Sequence, residues 1–286
     1  MMDLTSFEAE VRLTAFLSIF ALLAMAEAAA PRRRRLVARP SRWPGNLGLV
    51  AVDTILVRAV PVASAIAISN LAEARDWGLL RALGTVPTWA AVAVSVVLLD
   101  LAVYLQHVLF HALPALWRLH RVHHTDPELD VTTGVRFHPV EILLSAGVKG
   151  AVVGALGAPV VGVVVFEIVL NAGSMFSHAN LRLSGAADRL LRRLFVTPDM
   201  HRVHHSIDTA EMNRNFGFTL SLWDRLFGTY EAQPRMGHAA MVIGVTGFDG
   251  PDVRTLRRLL VQPLLREREP RADREPTEAT DRSSAL

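Results

Sequence analysis

Ten of the 11 histidines in the 286-residue chain lie within one stretch of 99 residues, and imidazole is a strong ligand for zinc, iron, copper and nickel. These ten are His107, His111, His120, His123, His124, His138, His178, His201, His204 and His205. Two pentapeptides in the stretch are identical, and each reads His-Arg-Val-His-His. Two copies of so rare a pattern predict metal binding rather than accidental clustering.

The spacing within this stretch indicates how the imidazoles are arranged. On a helix, residues three or four positions apart share one face, so each repeated pentapeptide directs two or three imidazoles the same way. His107 and His111 have the same helical relation. A single zinc ion takes about four ligands. Ten histidines therefore suit two metals, each open to a further ligand, with the isolated His138 and His178 completing the set.

Polar residues close to the histidines are candidates for hydrogen bonds to the ligands, because a metal-bound imidazole usually donates its other N–H group to an acceptor. They are Asp100, Asp126, Glu141, Asn180 and Asp208. Each could instead be a helix cap or a surface residue. We predict no catalytic side chain beyond the metal ligands.

The composition is that of a membrane protein, with 51% hydrophobic residues and a mean hydropathy of +0.31. The chain has no cysteine, which excludes disulfides, iron–sulfur clusters and thiolate metal sites. The net charge of +3 fits basic groups that flank membrane spans. No basic surface with interleaved aromatic residues is evident, so we expect no nucleic-acid partner.

Apolar runs predict an all-α bundle of about four to five membrane-embedded helices beneath a cytoplasmic helical cap that carries a dimetal site. Residues 13–30, 46–68 and 86–105 are the first three predicted spans. Residues 142–176 are too long for one span, so we predict a hairpin of two short arms. The arginine run at residues 32–35 places that loop, and with it the metal site, on the cytoplasmic side.

Charged residues at membrane depth usually face the interior of a bundle. Asp53 and Arg58 lie in the second predicted span, where a position near the lipid headgroups is the alternative for Asp53. Lys149 and Glu167 lie in the two arms of the hairpin and should face protein or the interface.

The remaining segments flank the histidine region. Residues 181–196 are amphipathic and predict an interfacial helix, and Thr197 followed by Pro198 predicts the start of the next helix. Residues 251–266 predict a basic amphipathic helix on the membrane surface.

The domain organisation follows from these segments. We expect one integral-membrane domain over residues 1–266, with a histidine-rich core at about residues 100–230. Residues 267–286 are charged and contain proline, so we expect a disordered tail.

The chain resembles the fatty acid hydroxylase/sterol desaturase superfamily of membrane-bound histidine-rich di-iron proteins. The shared pattern is HxxxH, then HxxHH, then a later HxxHH, found here at His107–His111, His120–His124 and His201–His205. Further matching pieces are Arg136-Phe-His-Pro-Val-Glu, Ser177-His-Ala-Asn, Thr197-Pro-Asp-Met-His, Asn215-Phe-Gly and Trp223-Asp-Arg-Leu-Phe-Gly-Thr-Tyr. Together they cover residues 100–230.

The resemblance implies two irons, held mainly by histidine, that use O2 to hydroxylate or desaturate an unactivated C–H bond of a lipid or sterol-like substrate. Electrons would come from a separate ferredoxin- or cytochrome-type partner. We also expect an integral protein of the bacterial cytoplasmic membrane, with the metal site on the cytoplasmic side. Zinc could replace iron on expression. A zinc-dependent membrane hydrolase or isomerase using the same histidines, and a non-catalytic family member, are the alternatives.

Overall fold

The computed structural model describes residues 4–60, 64–248 and 250–266, and within them the chain is helical, with isolated bridges but no extended strands. The longer helices, of ten residues or more, are α1 (Leu4–Ala29), α2 (Trp43–Ala59), α3 (Ala65–Ala74), α5 (Thr88–Ala112), α6 (Pro114–His124), α7 (Pro139–Leu156) and α8 (Val160–His178). The short ones are α4 (Leu79–Ala82), α9 (Gly185–Leu191), α10 (Pro198–His204), α11 (Thr209–Met212), α12 (Leu222–Leu226), α13 (Gly237–Ala240) and α14 (Leu256–Val261).

Within the described residues, four helices are long and apolar enough to cross a membrane: Phe7–Ala29 within α1, then α5, α7 and α8. The predicted helical membrane bundle is therefore confirmed. The two-armed hairpin is also present, because α7 ends at Leu156 and α8 begins at Val160. Gly157 makes the turn with a positive φ of 64°, and a Cβ there would lie 2.5 Å from the Trp77 carbonyl oxygen.

The second predicted span is wrong as a single helix. Residues 46–68 are divided between α2, which ends at Ala59, and α3, which begins at Ala65. Neither is among the four helices long and apolar enough to span. Pro61, within the predicted span, cannot donate a backbone hydrogen bond in a helix interior, which explains why one helix does not run through.

The core of the bundle lies between α3, α5, α7 and α8. Leu99, Val153 and Val163 are at most 1% exposed and belong to one apolar cluster. On α5 the buried residues Leu99, Val103 and Phe110 fall at helical spacings that place them on one side. The C-terminal part of α5 carries His107 and His111, so the helix that contributes to the core also delivers the first two imidazoles.

A polar layer caps the bundle at the end where α5 finishes. The guanidinium group of Arg42, which is fully buried, donates to both carboxylate oxygens of Asp126, at 2.6 and 2.7 Å, and to Asp130 at 2.8 Å. Burial alone would raise the pKa of Asp126, but Arg42 and Arg136 outweigh it and lower that pKa to about 2. The pair ties the start of α2 to the loop that follows α6.

Two predicted surface helices differ from the structure. The segment 181–196 contains only the seven-residue α9, with Leu190 exposed in it and Leu194 exposed beyond its end. The segment 251–266 is not a single helix. It breaks into α14 between two 3₁₀ turns and packs on α2 and α6, and this packing fully buries Leu259. The predicted tail at residues 267–286 lies outside the described residues.

Candidate metal centre

Nine histidines converge into two adjacent groups at the polar end of the bundle. The five-histidine group consists of His107, His111, His120, His124 and His204, and the four-histidine group of His123, His178, His201 and His205. Within each group, one nitrogen atom from every residue lies within 4.8 Å of the others. The two groups border each other, since the rings of His124 and His205 stack with centroids 4.4 Å apart.

The two identical pentapeptides are shared between the groups in opposite ways. The first gives the outer pair His120 and His124 to the five-histidine group and His123 to the other. The second gives the outer pair His201 and His205 to the four-histidine group and His204 to the other. The residues spaced i, i+4 thus stay together, and the i+3 residue turns to the neighbouring group.

Four helices bring these histidines together. α5 provides two histidines near its end, and α6, which starts at Pro114 after a break at Leu113, provides three in its last turns. α8 provides its terminal residue His178. α10 begins with the predicted Thr197 cap, whose hydroxyl accepts from the Met200 amide at 3.4 Å. The last three ligands lie at the end of this short helix.

Three members of the five-histidine group have one ring nitrogen, Nδ1, bound to an acceptor. Nδ1 of His107 lies 2.6 Å from the Phe216 carbonyl oxygen, Nδ1 of His204 lies 2.7 Å from that of Arg214, and Nδ1 of His120 lies 2.6 Å from Glu141 Oε1. These acceptors place the proton on Nδ1. Each Nε2 is buried without a hydrogen-bond partner, as a metal-binding lone pair requires.

The four-histidine group is closed around a single nitrogen. Nε2 of His178 lies 2.9 Å from Nε2 of His123 and 3.1 Å from those of His201 and His205. Nδ1 of His178 lies 2.6 Å from the Ser174 carbonyl oxygen and so carries that ring's proton. Its Nε2 can therefore accept only, and three simultaneous hydrogen bonds do not explain the convergence. Nitrogens about 3 Å apart around one point are the spacing of metal ligands at roughly 2.1 Å.

Burial keeps the imidazoles neutral. It lowers the pKa of His120 to about 3. Burial, together with neighbouring imidazoles, also holds the pKa of His123, His124, His204 and His205 well below the ordinary value. A neutral imidazole has the free lone pair that a metal needs. The residues present therefore fit two metal ions, and an all-imidazole donor set suits iron or zinc.

His138 belongs to neither group. Its Nε2 lies 3.1 Å from the Leu260 carbonyl oxygen, and its Nδ1 accepts from the Val140 amide at the start of α7. It is the N-cap of that helix, and both ring nitrogens are already used. Of the ten histidines predicted as ligands, the structure brings nine together.

Of the five polar residues predicted to support the ligands, only Glu141 contacts a histidine side chain. Asp100 accepts from Trp223 Nε1 at 2.8 Å, and Asp126 pairs with Arg42. The Asn180 side chain bonds the backbone of Arg33, and Asp208 caps α11. These four hold the scaffold and do not touch the ligands.

The acceptors that sequence reasoning missed are backbone carbonyls, those of Ser174, Arg214 and Phe216. No side-chain type signals such a role. Phe216 is held in place by Asp224, which accepts from its amide at 2.7 Å. Asp100 of α5 helps to hold the same segment, because its carboxylate accepts a hydrogen bond from the Leu220 amide at 3.3 Å.

A cavity of about 660 Å³ opens beside the five-histidine group, and we call it the chamber. His107 and His120 lie in its wall, as do the rings of Phe110, Phe137 and Phe218. No histidine of the four-histidine group lines it. The volume is in the range of small-molecule sites, and one of the two groups can therefore meet an organic ligand directly.

Comparison with known proteins agrees with this site. Residues 92–229 match the family model for fatty acid hydroxylase, so the predicted resemblance is confirmed over those residues. The matched region contains all nine clustered histidines. No solved structure matches the chain significantly.

Several curated proteins are similar over about half of the chain. Ornithine lipid hydroxylase OlsE of Rhizobium tropici is 33% identical over 157 residues, which cover 54% of this chain and 46% of that protein. Alkylglycerol monooxygenases of Caenorhabditis elegans and Homo sapiens are 26% and 25% identical, over 47% and 51% of this chain. The matches span less than half of each relative's length, 26% and 31% for the two monooxygenases.

Proposed function

We propose that this chain is a membrane-bound lipid hydroxylase that uses two irons and O2 to insert oxygen into a C–H bond. The balanced reaction is R–H + O2 + 2 e⁻ + 2 H⁺ → R–OH + H2O. One oxygen atom enters the new hydroxyl group and the other leaves as water. The C–H carbon is oxidised, and O2 is reduced by the two electrons from a donor together with the two from the substrate.

One observation carries the proposal: nine neutral imidazoles converge in two groups, one of which borders a chamber of about 660 Å³. Two irons bound there would supply O2 activation, chemistry for which no side chain suffices. The similar proteins are named as a hydroxylase and as monooxygenases, and their names include lipid substrates. These names favour hydroxylation over desaturation.

The chain's own residues position the ligands and the substrate. Glu141 and the Phe216 and Arg214 carbonyls fix three rings of the five-histidine group through Nδ1. Phe137 stacks on His123 with centroids 4.6 Å apart and also lines the chamber. Aromatic walls of this kind exclude water and hold a C–H bond next to the oxidant.

We also propose a separate electron donor of the ferredoxin or cytochrome type, acting on the cytoplasmic side of the membrane. The chain has no cysteine and so cannot hold an iron–sulfur cluster through thiolates. The arginines at residues 32–35 support the cytoplasmic placement through the preference of basic loops for that side.

The test is incorporation of labelled oxygen into lipid. Iron-loaded protein in lipid nanodiscs would be supplied with a reductase, a ferredoxin and ¹⁸O2, and the extracted lipids analysed by mass spectrometry. We expect lipid species heavier by one ¹⁸O atom that require both O2 and reductant. The matched control is the His120→Ala, His204→Ala double variant, which lacks two ligands of the five-histidine group.

Turnover of a lipid without O2 and reductant would contradict the proposal and indicate a zinc-type hydrolase or isomerase. Unchanged lipids with an iron-loaded protein and a reduced donor would indicate a non-catalytic member of the family.

A further inference from the structure

The chamber is bounded by five long helices, each of which turns one stripe of residues towards it. On α7 the stripe is Glu141, Ser145 and Lys149, at spacings of four residues. Glu141 contacts His120, so this stripe begins at the five-histidine group. At 1.5 Å per residue, the backbone of Lys149 lies about 12 Å further along the helix. The chamber therefore extends well into the bundle.

Most charges in the chamber wall already pair with one another. Arg12 contacts Glu8 at 2.9 Å and Glu167 at 2.8 Å, and Lys149 lies 3.6 Å from Glu167. This network joins α1, α7 and α8, and its two acids balance its two bases. Because these charged groups compensate one another, they attract a charged ligand only weakly.

Besides Glu141, which bonds the neutral His120, two charges in the wall, both on α2, lie outside this network. The Asp53 side chain is 8% exposed, and its Oδ1 is buried without a hydrogen-bond partner. Its charged neighbour is the carboxylate of Glu141, which has the same sign. Arg58 is exposed and has no carboxylate within 4.0 Å among the described residues. A buried carboxylate without a cationic partner is costly to ionise, so a cation bound beside Asp53 would be stabilising.

The two unpaired charges are separated along the helix. Five residues at 1.5 Å each place them about 7.5 Å apart along the axis of α2. Asp53 is the buried member and interacts with Glu141 near the metal ligands, whereas Arg58 is the exposed member. A ligand that satisfies both must carry an ammonium group at its deep end and an anionic group nearer the chamber mouth.

We propose that the chamber binds the zwitterionic headgroup of a lipid, with its ammonium group on Asp53 and its anionic group on Arg58. The apolar chains then extend away from the five-histidine group. This arrangement places carbons of the headgroup, and not the chain end, next to the metal ligands. The inference rests on the proposed function only in taking the bound lipid to be the substrate.

The test measures lipid binding without turnover. Iron-loaded protein in a non-ionic detergent would be titrated with didecanoyl lipids and followed by native mass spectrometry. The probes share their chains and differ in headgroup: phosphoethanolamine is zwitterionic, phosphoglycerol is anionic, and diacylglycerol is neutral. We expect the zwitterionic probe to bind about tenfold more tightly than the anionic probe.

Two variants separate the two charges. Asp53→Asn should weaken the zwitterionic probe about tenfold and leave the anionic probe unchanged. Arg58→Gln should weaken both and leave the neutral probe unchanged. Asp76→Asn and Arg75→Gln are the matched controls, because both residues are exposed and neither lines the chamber. Metal content and thermal unfolding should match the parent, which excludes a folding defect.

The inference is overturned if the parent protein binds the zwitterionic and anionic probes equally, or if Asp53→Asn binds the zwitterionic probe like the parent. Its failure is distinct from failure of the proposed function. Equal binding of the zwitterionic and anionic probes, together with ¹⁸O incorporation, would reject only the headgroup site. Selective binding without ¹⁸O incorporation would reject only the hydroxylase.

Discussion

The two histidine groups consist of the same kind of side chain but differ in whether a bound organic molecule can reach them. The five-histidine group borders the chamber through His107 and His120, and its His111 is only partly buried. The four-histidine group lines no part of the chamber, and all four of its side chains are fully buried. Two similar metals would therefore have different tasks. The metal in the five-histidine group, which we call the open group, would lie nearer the substrate. The metal in the four-histidine group, the closed group, would support it.

The groups also differ in redundancy. Loss of one ligand from the five-histidine group leaves four, the usual number for a complete site, whereas loss of one from the other group leaves three. His178 is the only ligand from α8, and its Nε2 contacts the other three nitrogens of its group. The closed group therefore depends on one residue in a way that the open group does not.

The largest expected effect is that of His178→Ala. We expect metal content to fall from about two ions to about one per chain, with loss of hydroxylation, because the variant lacks the nitrogen around which the other three converge. His111→Ala is the matched variant and should keep about two ions. Inductively coupled plasma mass spectrometry of the purified variants measures both. Equal loss of metal in the two variants would remove the proposed difference between the groups.

Glu141→Ala should produce the next largest effect and act on the open group alone. Removing an acceptor that orients a ligand typically costs 10–100-fold in metal affinity or activity. Glu141→Gln retains an oxygen acceptor for His120 and should cost less. Retention of metal in the presence of a chelator measures the change in affinity. If Glu141→Ala releases both ions at the same rate, then the groups are not independent.

Gly134→Ala should damage the closed group through the backbone. A Cβ at Gly134 would lie 2.6 Å from the Ser174 carbonyl oxygen, the acceptor for His178. We expect a loss of about 1–3 kcal/mol in the free energy of unfolding, together with weaker metal binding in the four-histidine group. Gly147→Ala is the control, because a Cβ there meets nothing within 4 Å. Denaturant unfolding in detergent compares the two, and equal stability would contradict the prediction.

The smallest expected effect is that of His138→Ala, which tests whether His138 lies outside both metal-binding groups. This variant should keep both metal ions and lose about 0.5–1.5 kcal/mol from the hydrogen bond to Leu260 and the cap of α7. His138→Asn should recover part of that loss, since asparagine is a good N-cap. Loss of a metal ion in His138→Ala would return His138 to the ligand set.

The sequence predicted much of the site because helical spacing is a local property. The i, i+3 and i+4 relations within the pentapeptides survive folding, and nine of the ten predicted histidines converge. His138 could not be separated from His178 on the same grounds, because both stand alone in the sequence. What distinguishes them is the carbonyl oxygen each one meets, from Leu260 across the fold and from Ser174 one turn away.

The fold was predicted best where hydropathy alone decides it. The hairpin of α7 and α8 follows from the length of its apolar run. The division of the second predicted span into α2 and α3 was not foreseen, and neither was the packing of α14 against α2 and α6. Contacts of this kind join residues far apart in the chain, such as Arg42 with Asp126, and no local pattern indicates them.

The most direct test of the account is the metal content of parent protein loaded with iron-57, combined with its Mössbauer spectrum. Two groups of neutral imidazoles predict about two irons per chain in two distinguishable environments. The iron lost in His178→Ala should belong to one environment only. A single iron per chain in the parent, or two irons lost together in that variant, would contradict the assignment of two separate metal-binding groups.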